Sequence, residues 1–293
     1  MKKHKICKIL LVILAIFLCV AFYELIGICV AYKKQPEVSN TTKKETKNGS
    51  WNECSENTER AVIIEKNPEA LLQRVRLIKN AKKEIILSTF AFKSDESGKL
   101  ILGALHDAAD RGVHIRLLVD GMESWIDMEG NPYFYGLSSH ENVEIKLYNK
   151  ANPLKPWKMM GRMHDKYLIA DGKRYILGGR NTYNYFLGDF PGHKNYDRDV
   201  LVVCDEPEKE NSVNQLSEYF ETIWNQEDSG YFHNNKKLAN RKSVKNAVLE
   251  LQNGYQKYFE ENKERICDTD YTDETFETEK IALVSNPIHT GSK

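Results

Sequence analysis

Residues 162–181 read RMHDKYLIADGKRYILGGRN. Two apolar runs, 163–170 and 174–177, flank Asp171-Gly172, a dipeptide suited to a two-residue hairpin turn. The spacing predicts strand, turn, strand. His164 and Lys166 are two apart, so on a strand they share one face, while Asp165 and Tyr167 take the other. That face sets a nucleophile or proton carrier beside a fixed cation, which suits attack on a phosphodiester, whose developing charge needs a positive neighbour. The second run ends in Gly178-Gly179-Arg180-Asn181. Glycines let a phosphate approach backbone N–H groups, and the Asn181 amide adds a donor. The hairpin turn brings these glycines back towards His164. Singly, each residue has a plainer reading: a core or surface histidine, a solvated lysine, a turn aspartate, a bulge. Together, six residue types at fixed offsets on a strand–turn–strand point to chemistry.

Upstream, Asn67-Pro68 reads as an N-cap with proline at the first helical position. Leu71, Leu72, Val75 and Ile78 then recur at helical spacing and predict a helix to Lys83. A strand over 84–90, a helix over 98–111 closed by Gly112, and a strand over 113–119 ending at Asp120-Gly121 form a βαβ unit. Further strands are expected over 142–148, 199–204 and 280–284, and amphipathic helices over 212–224 and 244–259. No internal repeat is present. The fold class expected is α/β: a mixed, largely parallel sheet flanked by helices and preceded by one transmembrane helix.

The pattern H-x-K-x4-D followed by G-G-x-N resembles the HKD signature of the phospholipase D superfamily, matched at His164, Lys166, Asp171, Gly178, Gly179 and Asn181. Residues 81–90 (AKKEIILSTF), 109–113 (ADRGV), 118–121 (LVDG) and 184–188 (NYFLG) look like the bacterial cardiolipin synthase-like branch, and the resemblance runs from about 61 to 224. It implies a two-step transfer needing no metal or cofactor. In it one histidine attacks phosphorus and a second, from another copy of the motif, protonates the leaving alcohol. On this resemblance His164 is the nucleophile or its acid/base partner. Lys166 and Asn181 hold the phosphate, with Gly178 and Gly179 beside it. Asp171 is a supporting, orienting carboxylate. Asp197, in Tyr196-Asp197-Arg198-Asp199, best matches the acidic residue that orients the partner histidine, with Asp199 second.

A second H-x-K does not follow Asn181: His193, His233 and His289 are followed two residues on by Asn195, Asn235 and Gly291. His114-Ile115-Arg116 has arginine in place of lysine, a shorter gap to Asp120 and no G-G-x-N. Residues 284–289 (VSNPIH) resemble the opening of the second half in relatives, so the expectation is a chain that stops as that half begins. It is then a fragment, a homodimer pairing two His164 side chains, or catalytically silent. One histidine cannot easily serve as both nucleophile and leaving-group acid.

From 6 to 32 nearly every residue is apolar, with Glu24 interrupting; Lys2, Lys3, Lys5 and Lys8 precede the core and Lys33 and Lys34 follow. The run is long enough to span a bilayer, and its flanking lysines favour a cytoplasmic N-terminus with the domain on the outer face of the cell membrane. The rival reading is a cleaved signal peptide, but no small-x-small site follows the apolar core. The organisation expected is an anchor over 1–34, a polar linker over 35–59, the lobe over 60–230, and over 231–293 a helical connector with the start of an incomplete second lobe. Lys+Arg and Asp+Glu number 42 each, so the basic excess typical of nucleic-acid binders is missing. Of six cysteines, Cys7, Cys19 and Cys29 lie in the apolar run, Cys204 reads as core, and Cys54 with Cys267 leaves a pairing open. No Cys/His spacing suits zinc. Residues 149–162 (NKANPLKPWKMMGR) mix Trp157, Met159 and Met160 with Lys150, Lys155 and Lys158. They read equally as an interfacial loop or as one packing its aromatics inward. The leading expectation is a membrane-anchored phospholipid phosphodiesterase or phosphatidyltransferase. The alternatives are a dimeric, membrane-tethered superfamily nuclease and a silent module binding lipid or a partner.

Overall fold

The computed structural model describes residues 2–33, 40, 43–44, 59–158, 161–204, 211–279 and 281–285. One helix, α1 (Lys2–Lys33), precedes the folded lobe. Its stretch His4–Val30 is long and apolar enough to cross a membrane. The lobe runs in chain order β1 (Glu59–Ile64), α2 (Asn67–Asn80), β2 (Glu84–Thr89), α3 (Glu96–Asp110), β3 (His114–Asp120), α4 (Gly121–Asp127), α5 (Pro132–Ser138), β4 (Val143–Tyr148), β5 (Lys166–Ala170) and β6 (Arg174–Gly178). It continues with β7 (Asp199–Val203), α6 (Ser212–Trp224), β8 (Ser229–Tyr231), α7 (Lys242–Glu261), α8 (Lys263–Cys267) and β9 (Phe276–Thr278).

Nine strands form one sheet in the order β8-β4-β3-β2-β5-β6-β7-β1-β9. Parallel pairing is confined to β2, β3 and β4, joined by the α3 and α4–α5 crossovers. The other pairings are antiparallel, so the sheet is mixed as expected but not largely parallel. The βαβ unit was legible from its local pattern. The rest of the strand order is set by contacts far apart in sequence.

Alternation along the strands splits the core in two. Ile85 and Leu87 of β2, with Leu168 and Ala170 of β5, join a cluster under α2, α3, α5 and α7. Ile86, Tyr167 and Ile169 face α6, against Val213, Leu216, Phe220 and Trp224. Each such side chain taken fully from water contributes about 1.5–3 kcal/mol before ordering costs. Cys204 is buried in this second layer, as expected.

The lobe does not stop at 230. Phe232, Leu238, Val244, Leu251, Tyr255, Phe259, Ile266 and Tyr271 belong to the first cluster, and β9 pairs antiparallel with β1. Residues 231–279 therefore pack as part of the same lobe. The last strand is 276–278, and 281–285 is not a strand. Lys280 and residues 286–289 lie outside the described residues, as do Met159, Met160, Cys54 and nearly all of the 35–59 segment.

Helix ends follow local chemistry. The helix expected to Lys83 stops at Asn80, because the amides of 82–84 turn to Asp171 instead. α3 starts two residues early because the Asp95 side chain accepts from the Gly98 N–H. α4 and α5, absent from the pattern reading, are single short helices capped by Asp120 and by Asn131, the latter followed by Pro132.

Candidate active site

β5 and β6 form the expected hairpin. Asp171 and Gly172 both take positive φ (54° and 62°), and the Lys173 N–H closes the turn on the Ala170 carbonyl at 3.0 Å. β5 lies between β2 and β6, with Thr89 opposite Lys166 on one side and Tyr167 opposite Leu177 on the other. The strand begins at Lys166, so His164 sits in the segment just ahead of it. Asp165 faces α6, where it accepts from the Tyr219 hydroxyl at 2.9 Å, as the alternation predicts.

At this end of the sheet His164 is exposed, and its ring packs edge-on against Phe90 with centroids 4.7 Å apart. Partial burial, reinforced by the Lys166 charge, holds its pKa below the ordinary imidazole value, so the ring favours its neutral, nucleophilic form. Lys166 is only 6% exposed; its Nζ donates to the His164 carbonyl at 2.6 Å and lies 5.3 Å from the Phe90 ring centre. Burial lowers its pKa against the opposing charges of Asp165 and Asp197. Among the described residues it has no ion-pair partner. Asn181 is buried, and its Oδ1 accepts the Ala91 N–H at 3.2 Å. That bond fixes the amide orientation and leaves Nδ2 without an acceptor among the described residues. A neutral imidazole, an ammonium and an amide with unused donors thus meet at one strand end, a set able to bind an anion and attack it.

Asp197 also belongs here. A β-carbon on Gly179 would overlap its carboxylate, and a β-carbon on Gly178 would overlap Asp199 and the Arg198 carbonyl. The Gly179 N–H donates to the Arg198 carbonyl at 3.3 Å. The Gly179 N–H is thus already engaged, and the two glycines make room for the 197–199 segment. Asp199, the runner-up, is 2% exposed and pairs with Arg74 (2.8 Å) and Arg180 (3.2 Å), so it is a core anchor turned away from the site.

Asp171 stands at the other end of β5. Its carboxylate accepts from the Lys82, Lys83 and Glu84 N–H groups at 2.9, 2.7 and 3.0 Å. Seven residues of extended chain separate it from His164, roughly 23 Å. Asp171 therefore clips β5 to the start of β2 and does not reach the reacting group.

Three residues with no assigned role complete the setting. Asp120, 1% exposed, accepts from the Met163 N–H (3.0 Å) and Arg162 Nε (2.9 Å), and so holds the two residues before His164. The Arg162 guanidinium lies 5.1 Å from the Phe90 ring centre, so Phe90 is bordered by Arg162, His164 and Lys166. Asp120 and Phe90 each lie in one of the segments that resemble the superfamily, the only signal that marked them.

The family profile described as "Cardiolipin synthase, PLD-like domain" matches residues 74–224, just over half of the chain. The chain belongs to the phospholipase D superfamily. Residues of the site lie within this matched stretch, from Phe90 through Asp197. An uncharacterised Helicobacter pylori protein is 31% identical over 212 residues, 67% of this chain and 39% of that protein. Escherichia coli cardiolipin synthase C is 29% identical over 154 residues, 48% of this chain and 31% of the relative. The chain thus spans well under half the length of these relatives. Among solved structures, Haemophilus influenzae phosphatidylserine synthase shares the fold with a TM-score of 0.51 at 17% identity, covering 75% of this chain and 48% of that one.

Proposed function

We propose that this phospholipase D superfamily lobe is a half-site of a phospholipid phosphodiesterase or phosphatidyltransferase, held at the cell membrane by α1. The observation that carries it is the exposed, neutral-tending His164 beside the buried, unpaired Lys166 and the free Asn181 amide. His164 attacks phosphorus; the bond to the leaving alkoxide breaks as that oxygen takes a proton from a second histidine, leaving a phosphohistidine. The second histidine then accepts a proton from water or an acceptor alcohol, whose oxygen displaces His164 and yields phosphatidic acid or a new phosphodiester. Lys166 Nζ and Asn181 Nδ2 hold the non-bridging oxygens throughout. Asp197 orients the imidazole that comes from outside. The phospholipid reading is supported by a relative named as a cardiolipin synthase.

Among the described residues no second histidine contacts His164, Lys166 or Asn181. His106 and His140 both pair with Asp110, His114 with Glu144 and His233 with Glu129, while His193 packs against Tyr185. On this reading a second chain or a second lobe brings it. The lysines flanking α1 favour a cytoplasmic N-terminus and a lobe on the outer face.

The test is product analysis with labelled phosphatidylglycerol in bilayers with chelator present, comparing the chain with His164→Ala. Conversion to cardiolipin or phosphatidic acid, lost in the variant, is expected at protein densities that allow two lobes to meet. Conversion that persists in folded His164→Ala protein sinks the assignment.

A further inference from the structure

α1 and the lobe enclose a cavity of about 820 Å³, lined by Glu24 and Ile28 of the helix and by Met122, Trp125, Lys150 and His233 of the lobe. Its size falls within the usual range of ligand pockets. One face of α1 makes the joint. Tyr23 donates its hydroxyl to the Leu154 carbonyl at 2.8 Å, and Gly27 lies so close to Pro156 that a β-carbon would overlap the proline ring. Tyr23, Glu24, Gly27 and Ile28 recur at spacings of three and four, so one stripe of the helix seats on residues 154–156. The flanking residues of α1 are exposed.

The length of α1 sets the height of this joint. The 27 residues His4–Val30 extend about 40 Å as a helix, whereas a bilayer core is about 30 Å. Lys5 and Lys8 precede the core, so it starts near Ile9, and about twenty residues of helix carry it to 28; the stripe 23–28 therefore lies at the outer boundary between acyl chains and headgroups. Around the cavity the lobe presents Trp125, Ile126 and Leu154 at 64%, 67% and 78% exposure. These are apolar side chains at the level where an aromatic belt forms. The cavity also has a polar end. Lys150 spends one donor on the Tyr231 carbonyl at 2.5 Å and keeps two, and His233 is tied to Glu129 at 2.7 Å. Two of the three described non-glycine residues at positive φ, Asn149 (49°) and His233 (23°), flank or line it. Such backbone persists where the surroundings hold it and gathers at ligand sites.

We infer that this cavity holds a phospholipid of the surrounding bilayer, separate from the His164 site: acyl chain against Ile28, Met122 and Trp125, phosphate on Lys150, and headgroup donors towards Glu24. The inference rests on the membrane reading of α1 proposed above. The bound lipid would seat the lobe on the membrane at a fixed tilt, with α4 as the contact.

The test uses the full chain in bilayers containing phosphatidylglycerol with a photoactivatable diazirine in its acyl chain, and maps the adducts after irradiation. Adducts on Met122 and Trp125 are expected beside those along α1. Trp125→Glu should lower the α4 adducts at least fivefold, and Trp125→Phe should keep them. Adducts confined to α1, or α4 adducts undiminished by Trp125→Glu, overturn the inference. If Trp125→Glu does not fold, the unmodified chain's map decides. His164→Ala should leave the adduct map unchanged. Adducts without turnover therefore sink the enzymatic reading alone, and turnover without α4 adducts sinks this inference alone.

Discussion

Gly179→Ala separates two accounts of the Gly178-Gly179 pair. Gly179 is not at positive φ, so alanine meets no backbone strain there. Its N–H, already given to the Arg198 carbonyl, survives the substitution. What changes is one methyl group, placed on the Asp197 carboxylate. Overpacking of that kind costs about 1–3 kcal/mol when the neighbour must shift. For a lobe of this size, a cost near 2 kcal/mol lowers the melting temperature by about 4–8 °C. The cost should disappear when the obstructing carboxylate goes. In an Asp197→Ala background the same change should cost less than ~0.5 kcal/mol, a coupling of over 1 kcal/mol. Calorimetry or denaturant melts of the four proteins close the cycle, and turnover of phosphatidylglycerol by each gives the parallel reading. Displacing Asp197 should lower turnover in Gly179→Ala as much as removing it does. If Gly179→Ala melts with the parent yet loses turnover, the glycine serves phosphate approach and the packing account fails. Equal destabilisation in both backgrounds refutes it as well.

Lys166→Met should lower turnover by about 10²–10³-fold, as loss of an electrostatic donor to developing charge does, while leaving the melting temperature unchanged or raised. The sign follows from burial, which disfavours the charged amine and lowers its pKa in the fold, so the charge opposes folding at neutral pH. His164 must be neutral to attack, and its pKa is held below 6.5, so turnover should persist down to pH 6.5 and decline only below it. In Lys166→Met residual turnover should fail at a higher pH than in the parent, because one of the charges lowering that pKa is gone; a pH–rate profile reads both. Asp171→Ala removes the acceptor for three backbone amides and should cost about 3 kcal/mol of stability, with turnover per folded molecule changing less than ~3-fold. A large loss of turnover in folded Asp171→Ala protein would return that carboxylate to the chemistry.

The elements that sequence made legible are those whose causes are local. The hairpin follows from two period-2 runs about Asp171-Gly172, and α6 from the stripe Val213, Leu216, Phe220 and Ile223. His164, Lys166 and Asn181 come to one strand end because alternation and a two-residue turn leave little other choice. The misread parts depend on partners far away in the chain. Asp171 reads as a supporting carboxylate from its place in the pattern, but what it supports is not local: its bonds go to amides some 87–89 residues earlier. The glycines look like a phosphate cradle until the 197–199 segment is laid against them. The sheet is mostly antiparallel because β5 pairs antiparallel with β2, β7 with β6, and β1, β9 and β8 at the edges, pairings between segments far apart in sequence that leave no trace in local pattern. Asp120, read only as the end of a strand, also accepts from the Met122, Glu123 and Met163 N–H groups and from Arg162.

The position of Asp120 joins the two ends of the functional argument. Its carboxylate accepts from the Met122 and Glu123 N–H groups and so starts α4, the helix that carries Met122 and Trp125 into the cavity beside α1. The same group holds Arg162 and the Met163 N–H directly ahead of His164. A buried carboxylate loses hydration on folding and persists only when such donors replace it. Here the donors come from both α4 and the segment directly ahead of His164. On the two proposals above, a lipid seated against α4 bears on the same group that holds the segment before His164, so the seating of the lobe and the aim of His164 meet at one residue.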